Sequence, residues 1–193
     1  MAGQSQKKLD RLMEKAEELF FKYGYNGVSV DQIAKEAGIS KMTVYKHFHN
    51  KEDLFVEVIG DNIRKQMDEA RRLMDEKYHT LDKIEALYNY SMDAAKKYPH
   101  ILLKDIIERK SFLERITDLK TEIALPLWKH ILEDGISKGE VRSMDVEFVS
   151  GLLMNMPNAV KNLDFLNSEE GMMKFYKNFI DFLKYGLLGG LEK

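Results

Sequence analysis

The chain has 193 residues, 44% of them hydrophobic and 32% charged, which is enough to bury one substantial core or a small domain beside a larger one. It contains no cysteine, so disulfides and thiolate metal ligands are excluded and a reducing compartment is favoured. The net charge of −2 argues against a protein that coats nucleic acid over its whole surface.

The first predicted elements are four helices near the N-terminus. The first eight residues contain no apolar segment, so no signal peptide is expected there. A helix is predicted over residues 7–23, where apolar residues recur every three or four positions until Gly24. Ser29 and Ser40 are typical N-caps of two short helices, and Asn50 is typical of the start of a long helix to about residue 77.

The remaining sequence predicts further helices near residues 81–97, 99–110, 112–138, 145–163 and 168–188. Thr80, Asp145 and Ser168 are the expected N-caps. Pro126 and Pro157 fall inside helical patterns, so a kink or break is expected at each. Charged residues interrupt every apolar run before it reaches membrane-spanning length, and the cytoplasm is the expected location. The fold class is therefore predicted to be all-α, with about nine helices.

The most informative segment is residues 29–48, which predicts two short helices joined by a turn at Gly38. Glycine tolerates the positive φ that lets the second helix cross the first, and Ala34 and Ala37 are small enough for close crossing. In a helix-turn-helix, the second helix lies in the DNA major groove with its N-terminal residues toward the base edges. The segment therefore predicts a DNA-binding motif.

The charge pattern supports this interpretation, because residues 38–51 contain three lysines and two histidines but no acid. Lysine and tyrosine side chains can contact phosphates, while Thr43 and Met42 can touch a thymine methyl, and Lys41 or His47 can reach a guanine edge. The alternative is a three-helix scaffold whose basic face is merely solvated. The candidate DNA-binding residues are Ser29, Val30, Ser40, Lys41, Met42, Thr43, Tyr45, Lys46, His47 and Lys51.

The sequence around this motif, LFFKYGYNGVSVDQIAKEAGISKMTVYKHFHNKEDL over residues 19–54, resembles the N-terminal domain of the TetR family of bacterial transcriptional regulators. The resemblance covers about residues 9–60. It implies phosphate contacts from Ser29, Tyr45 and Lys51, and a groove-facing position for Lys41, Met42, Thr43 and His47. Two positions depart from the pattern: Met42 stands where glycine is most frequent, and Val28 stands where threonine is common.

The resemblance also implies that the rest of the chain forms dimers and binds a small molecule. We therefore expect a helix-turn-helix domain over residues 1–52 and a helical dimerisation and ligand-binding domain over residues 53–193. The last two helices carry more apolar surface than one intrachain face needs, which favours a four-helix interface between two subunits. The alternative there is a buried central helix. The candidate dimer residues are Phe148, Leu152, Phe175, Phe179 and Phe182.

Methionines and aromatic residues of the C-terminal part predict a ligand pocket, and the alternative is that these residues form an ordinary core. The candidate lining residues are Tyr88, Met92, Leu103, Trp128, Met154 and Met156.

No catalytic or metal site is predicted, because the histidines lack metal-ligand spacing and no phosphate-binding glycine loop is present. No cofactor is expected. The leading hypothesis is a homodimeric repressor released from a palindromic operator in double-stranded DNA by a small apolar or amphipathic ligand. Two alternatives stay open: a DNA-binding dimer without an effector, and a helical interaction module that has lost DNA binding.

Overall fold

The computed structural model describes residues 2–160 and 169–186, and within them the chain forms nine α-helices and no strand. The all-α prediction is therefore confirmed for the described residues. In chain order the helices are α1 (Ala2–Tyr23), α2 (Val30–Ala37), α3 (Lys41–His47), α4 (Lys51–Asp75), α5 (Thr80–Lys96), α6 (His100–Glu108), α7 (Lys110–Ser137), α8 (Val146–Val160) and α9 (Glu169–Gly186).

Two of the later helices begin at the side-chain caps that the sequence predicts. Asn50 Oδ1 accepts a hydrogen bond of 2.8 Å from the Asp53 N–H at the start of α4. Asp145 Oδ1 accepts one of 3.0 Å from the Phe148 N–H at the start of α8. Each cap satisfies a backbone donor that has no partner inside the helix, so these starts are determined locally. Ser168 lies outside the described residues.

Of the kink or break expected at Pro126, the break is absent, because α7 continues through it from Lys110 to Ser137. Proline removes one backbone hydrogen bond but leaves the rest of the helix intact when tertiary packing holds both sides. Ala124, Leu127 and Trp128 are buried around the exposed proline and supply that packing. Pro157 likewise lies within α8, which ends at Val160.

The helices assemble into two compact units. Unit 1 comprises Met1–Gln66 and Asp93–Lys120, and unit 2 comprises Met67–Met92 and Thr121–Lys193. The functional boundary between residues 52 and 53 stays a prediction.

An aromatic cluster forms the centre of unit 1. The ring of Phe55 lies 5.1 Å from that of Phe20 and 4.8 Å from that of Phe112, and Tyr25 lies 4.7 Å from Phe112. The three phenylalanines are fully buried, and burial of each contributes about 1.5–3 kcal/mol relative to exposure. The cluster therefore packs α1, α4 and α7 against the turn that follows α1.

Apolar side chains from α5, α7, α8 and α9 form the core of unit 2. They are Ile84, Leu87, Leu127, Trp128, Ile131, Leu132, Val149, Leu153, Phe179, Ile180 and Leu183, with Val141 from the segment before α8.

The start of α5 differs from the sequence prediction, because Thr80 is the first helical residue rather than the cap. Its buried hydroxyl and its backbone N–H both donate to Glu140 Oε2 at 2.6 Å, and His79 Nδ1 lies 2.8 Å from Glu140 Oε1. These bonds, above all those from Thr80, lower the pKa of Glu140 to about 2 from an ordinary 4.5. A carboxylate 60 residues away thus caps the helix.

Replacing Glu140 with glutamine should reduce the free energy of unfolding at pH 7 by about 2 kcal/mol, because a neutral amide replaces the carboxylate that takes part in three hydrogen-bond contacts. The folded-state pKa is lowered, so the stabilisation is complete above about pH 4.5 and disappears as the pH falls toward 2. Urea unfolding across this range checks the prediction. Glu133→Gln, an exposed acid of the same unit, is the control, and an equal, pH-independent loss in both variants would contradict it.

Candidate nucleic-acid interface

Local capping and one left-handed glycine set the geometry of α2 and α3. Ser29 Oγ accepts from the Gln32 N–H at 3.1 Å, and Ser40 Oγ accepts from the Thr43 N–H at 3.1 Å. Between the helices, Gly38 has a φ of 66° and donates its N–H to the carbonyls of α2. That conformation favours glycine, so the turn follows directly from the sequence.

The two helices bury small and branched side chains, among them Ala34 and Ala37, which the sequence predicts at the crossing. Ile33, Ala34 and Ala37 of α2 and Val44 of α3 are almost completely inaccessible. With these side chains inside, the opposite face of α3 is presented to solvent, as a helix that enters a DNA groove requires.

Most predicted DNA-binding side chains are exposed on this surface. Met42 is the most exposed large apolar residue of α3, at 72%, and Tyr45 is 44% exposed. Thr43 and Lys51 are half-buried. Val30 differs, because its side chain is 7% exposed and packs in the core, which leaves only its backbone N–H available at the α2 N-terminus. The exposed members are Ser29, Ser40, Lys41, Met42, Tyr45, Lys46 and His47.

Hydrogen bonds connect the polar side chains at the start of α3. Ser40 Oγ lies 2.8 Å from Thr43 Oγ1, and Lys41 Nζ donates to Asp31 Oδ2 of α2 at 2.7 Å. This bond raises the pKa of Lys41. Asp31 could not be recognised from the sequence, because its position in the first turn of α2 is equally typical of an acid that interacts with the helix dipole.

Lys51, at the start of α4, lies against the turn that follows α1. Its Nζ is 4.0 Å from the centre of the Tyr25 ring, and the Arg109 guanidinium is 4.8 Å from the same centre. Burial lowers the pKa of Lys51, repulsion from Arg109 lowers it further, and Asp105 opposes both. Lys51 is thus a partly desolvated cation at a helix N-terminus, an arrangement suited to an anionic partner.

Asp105 of α6 fixes the turn after α1. The side chain is 7% exposed, and its two oxygens accept hydrogen bonds of 2.7 Å from the Tyr25 N–H and from Asn26 Nδ2. Arg109 Nη2 also donates to Asn26 Oδ1 at 2.7 Å. Neither Asp105 nor Arg109 could be found from the sequence, because about 80 residues separate them from their partners.

Two clefts of about 450 and 440 Å³ occur in unit 1, beside Leu9, Phe48 and Glu57. Neither is lined by a residue predicted to form the ligand pocket.

The candidate pocket residues are divided between the two units. Tyr88, Trp128 and Met154 belong to unit 2, where Trp128 is buried and the Tyr88 ring lies 5.3 Å from that of Phe179. Leu103 belongs to unit 1, and its side chain is exposed. The side chains of Met92 and Met156 lie outside the described residues.

The predicted dimer residues also separate into two groups. Phe148 is 67% exposed, and Leu152 and Phe182 are exposed as well. Phe179 is only 4% exposed and stacks on half-buried Phe175 at 6.0 Å, so it belongs to the core of unit 2 and is not available to a partner.

Within the described part of the chain, no group of three metal-ligating side chains is close enough to hold an ion. None of the helices in residues 2–160 and 169–186 combines the length and the hydropathy that a membrane span needs.

The fold and the exposed basic surface of α3 together define a helix-turn-helix DNA-binding protein. Two family models match the chain: "Bacterial regulatory proteins, tetR family" at residues 12–58 and "QacR-like protein, C-terminal region" at residues 61–188. The chain belongs to the TetR family and is a DNA-binding transcriptional regulator.

Curated relatives agree with this assignment. The chain is 26% identical to the transcriptional regulator QacR of Staphylococcus aureus over 92% of this chain and 97% of that protein. It is 30% identical to the transcriptional repressor KstR2 of Rhodococcus jostii over 70% of this chain and 69% of that one. Both relatives are named as regulators of transcription rather than as enzymes.

Solved structures share the fold at lower identity. A transcriptional regulator from Cytophaga hutchinsonii has a TM-score of 0.72 at 17% identity, covering 94% of this chain and 98% of that chain. FadR from Bacillus subtilis, in complex with stearoyl-CoA, has a TM-score of 0.65 at 19% identity and covers 92% of this chain and 98% of its own.

Proposed function

We propose that the chain is a homodimeric repressor that binds a palindromic operator through α3 and is released when a small apolar or amphipathic ligand binds to it. The observation that carries the proposal is the acid-free, solvent-exposed face of α3 beside Lys51. The expected contacts are to phosphates from Ser29, Tyr45 and Lys51, and to base edges from Lys41, Met42, Thr43 and His47.

The need for a dimer follows from charge, because residues 1–55 carry nine basic and eight acidic side chains and a single half-site contact is therefore weak. A dimer places two recognition helices about 34–36 Å apart, or a little more, in successive major grooves. The exposed apolar side chains of α8 and α9, Phe148, Leu152 and Phe182, are the proposed contact surface, because a partner would remove each of them from water.

The region between residues 61 and 188 is the proposed ligand-binding part, since it matches the QacR-like C-terminal model. Ligand binding would favour a conformation in which the two α3 helices no longer fit successive grooves. Long-chain acyl-CoA is the first class to test, because FadR of the same fold is in complex with stearoyl-CoA. We propose that the protein acts in the cytoplasm and has no enzymatic activity.

Selection of bound duplexes from a random-sequence library tests this function. Enrichment of a palindrome with two half-sites would support a dimeric, sequence-specific regulator. Stearoyl-CoA and other amphipathic compounds would then be tested for release of the enriched duplex. Selection without any enriched sequence at low salt would contradict DNA recognition and favour an interaction module, whereas an enriched palindrome that no ligand releases would favour a regulator without an effector.

Replacing Lys51 with alanine, or Tyr45 with phenylalanine, should weaken binding to the enriched duplex and to scrambled duplexes alike, by about tenfold at about 0.1 M salt, because each change removes a phosphate contact. The Lys51 variant should also show a salt dependence shallower by about one phosphate contact. Fluorescence anisotropy across a salt titration measures both effects. Lys35→Ala removes a matched exposed cation of α2 as the control. Unchanged affinity in both test variants would refute the contact assignment.

A further inference from the structure

We propose that Asp31 is a positioning residue that fixes Lys41 for reading a base edge and thereby sets the DNA sequence preference of this regulator. The proposal rests on the DNA-binding function proposed above. It starts from the ion pair that joins α2 to the first residue of α3.

The geometry of the pair is direct. Lys41 Nζ lies 2.7 Å from Asp31 Oδ2, and both side chains are on the exposed surface of the helix-turn-helix, at 49% and 66% exposure. Lys41 is the first residue of α3, the end of a recognition helix that approaches base edges. A carboxylate is therefore held at the surface where a polyanion is expected to bind.

Stability does not account for this pair. An ion pair between two exposed side chains contributes little, because water screens it and holding two long side chains in one geometry has an entropic cost. Asp31 already interacts favourably with the N-terminus of α2 without any partner on α3. A carboxylate that only repelled phosphates would weaken DNA binding, so its pairing with Lys41 indicates a role in orientation.

The hydrogen-bond donors of Lys41 explain how its orientation could select a base. The ammonium group has three N–H donors, and Asp31 accepts one of them, which leaves two for a partner. Two donors match the adjacent O6 and N7 acceptors of guanine in the major groove. Because the pair is electrically neutral, it adds little to the sequence-independent attraction of phosphates and contributes mainly to discrimination.

The test compares wild type with Asp31→Asn, which keeps the shape of the side chain and removes its charge. Each protein selects duplexes from a random library, and anisotropy then measures affinity for the wild-type-enriched duplex and for a scrambled one. Asp31→Asn should bind the scrambled duplex more tightly, with a salt slope steeper by about 0.9. The affinity ratio between the two duplexes should fall about fivefold or more, and the preference for one base pair per half-site should relax.

Two further variants separate positioning from simple repulsion. Glu36→Gln removes an exposed acid from the same helix and should leave the affinity ratio unchanged. In a Lys41→Ala background, Asp31→Asn should no longer change that ratio, because the residue it positions is gone. The proposal is overturned if Asp31→Asn raises both affinities by the same factor, or if its effect on the ratio persists without Lys41.

The proposed function and the role of Asp31 fail in different ways. If wild type enriches no sequence, DNA recognition itself is wrong and Asp31 has nothing to set. If wild type enriches a palindrome and Asp31→Asn enriches the same one with equal discrimination, only the role of Asp31 is wrong.

Discussion

Replacing Asp105 with alanine should lower the free energy of unfolding by about 3–4 kcal/mol, one of the two largest effects expected for this chain. The buried carboxylate accepts from the Tyr25 N–H and from Asn26 Nδ2, both at 2.7 Å. Alanine removes both acceptors, so a backbone donor in the turn after α1 loses its protein partner, and a small cavity is added. Urea unfolding followed by circular dichroism measures the change.

The matched control for this substitution is Glu108→Ala on the same helix. Glu108 is exposed and is 3.8 Å from Lys104 one turn earlier, a contact expected to contribute only about 0.2–0.5 kcal/mol. A general weakening of α6 would therefore appear in both variants, whereas loss of the buried hydrogen bonds would appear only in Asp105→Ala. Equal stability of the Asp105 variant and wild type would show that these bonds contribute nothing.

Replacing Gly24 with alanine should destabilise the protein by about 3 kcal/mol, through two separate costs. The backbone φ at Gly24 is +70°, which is unfavourable for any residue with a Cβ atom. An added Cβ would also lie 2.5 Å from Asp105 Oδ2 and 2.9 Å from Ile101 Cγ1, so α6 would have to move. Thermal unfolding, with DNA affinity as a second readout, checks the prediction.

Gly139 separates these two costs, because its φ is +71° but a methyl group added there would meet open space, with no packing neighbour within 4 Å. Gly139→Ala should therefore show only the conformational cost, about 1–2 kcal/mol. Gly38→Ala is a second comparison, within unit 1. The φ of Gly38 is +66°, and an added Cβ would lie 3.6 Å from Arg11 Nη1, which is an ordinary contact distance. If the free energy of unfolding fell by the same amount in all three variants, the close packing of Gly24 against α6 would add nothing to the cost of the substitution.

The starts of α2, α3, α4 and α8, the turn at Gly38 and the exposed face of α3 could be predicted, because they depend on residues within a few positions of one another. Ser29, Ser40, Asn50 and Asp145 cap the helices that the sequence assigned to them. In each case the cap can be predicted locally, because its side-chain oxygen accepts from the free backbone N–H three residues later.

Contacts between distant segments could not be predicted. Threonine is a residue type that often caps helices, yet the backbone N–H of Thr80 donates to Glu140, 60 residues away, which caps α5 instead. Helix α7 continues through Pro126, where Ala124, Leu127 and Trp128 are buried. Phe179, which the sequence predicts at the dimer interface, is only 4% exposed, and its ring lies 5.3 Å from that of Tyr88. Asp31, Asp105 and Arg109 gain their roles only from the fold, because the partner of each lies on another element.

Trp128 gives the protein a built-in optical probe. It is the one tryptophan among the 193 residues, and it is buried in the core of unit 2. Its emission therefore reports the surroundings of that core alone, while circular dichroism reports helix content in both units. Unfolding curves recorded by the two methods on the same sample would coincide if the units melt together and separate if they do not. The comparison therefore measures whether the two units unfold cooperatively, without an added label.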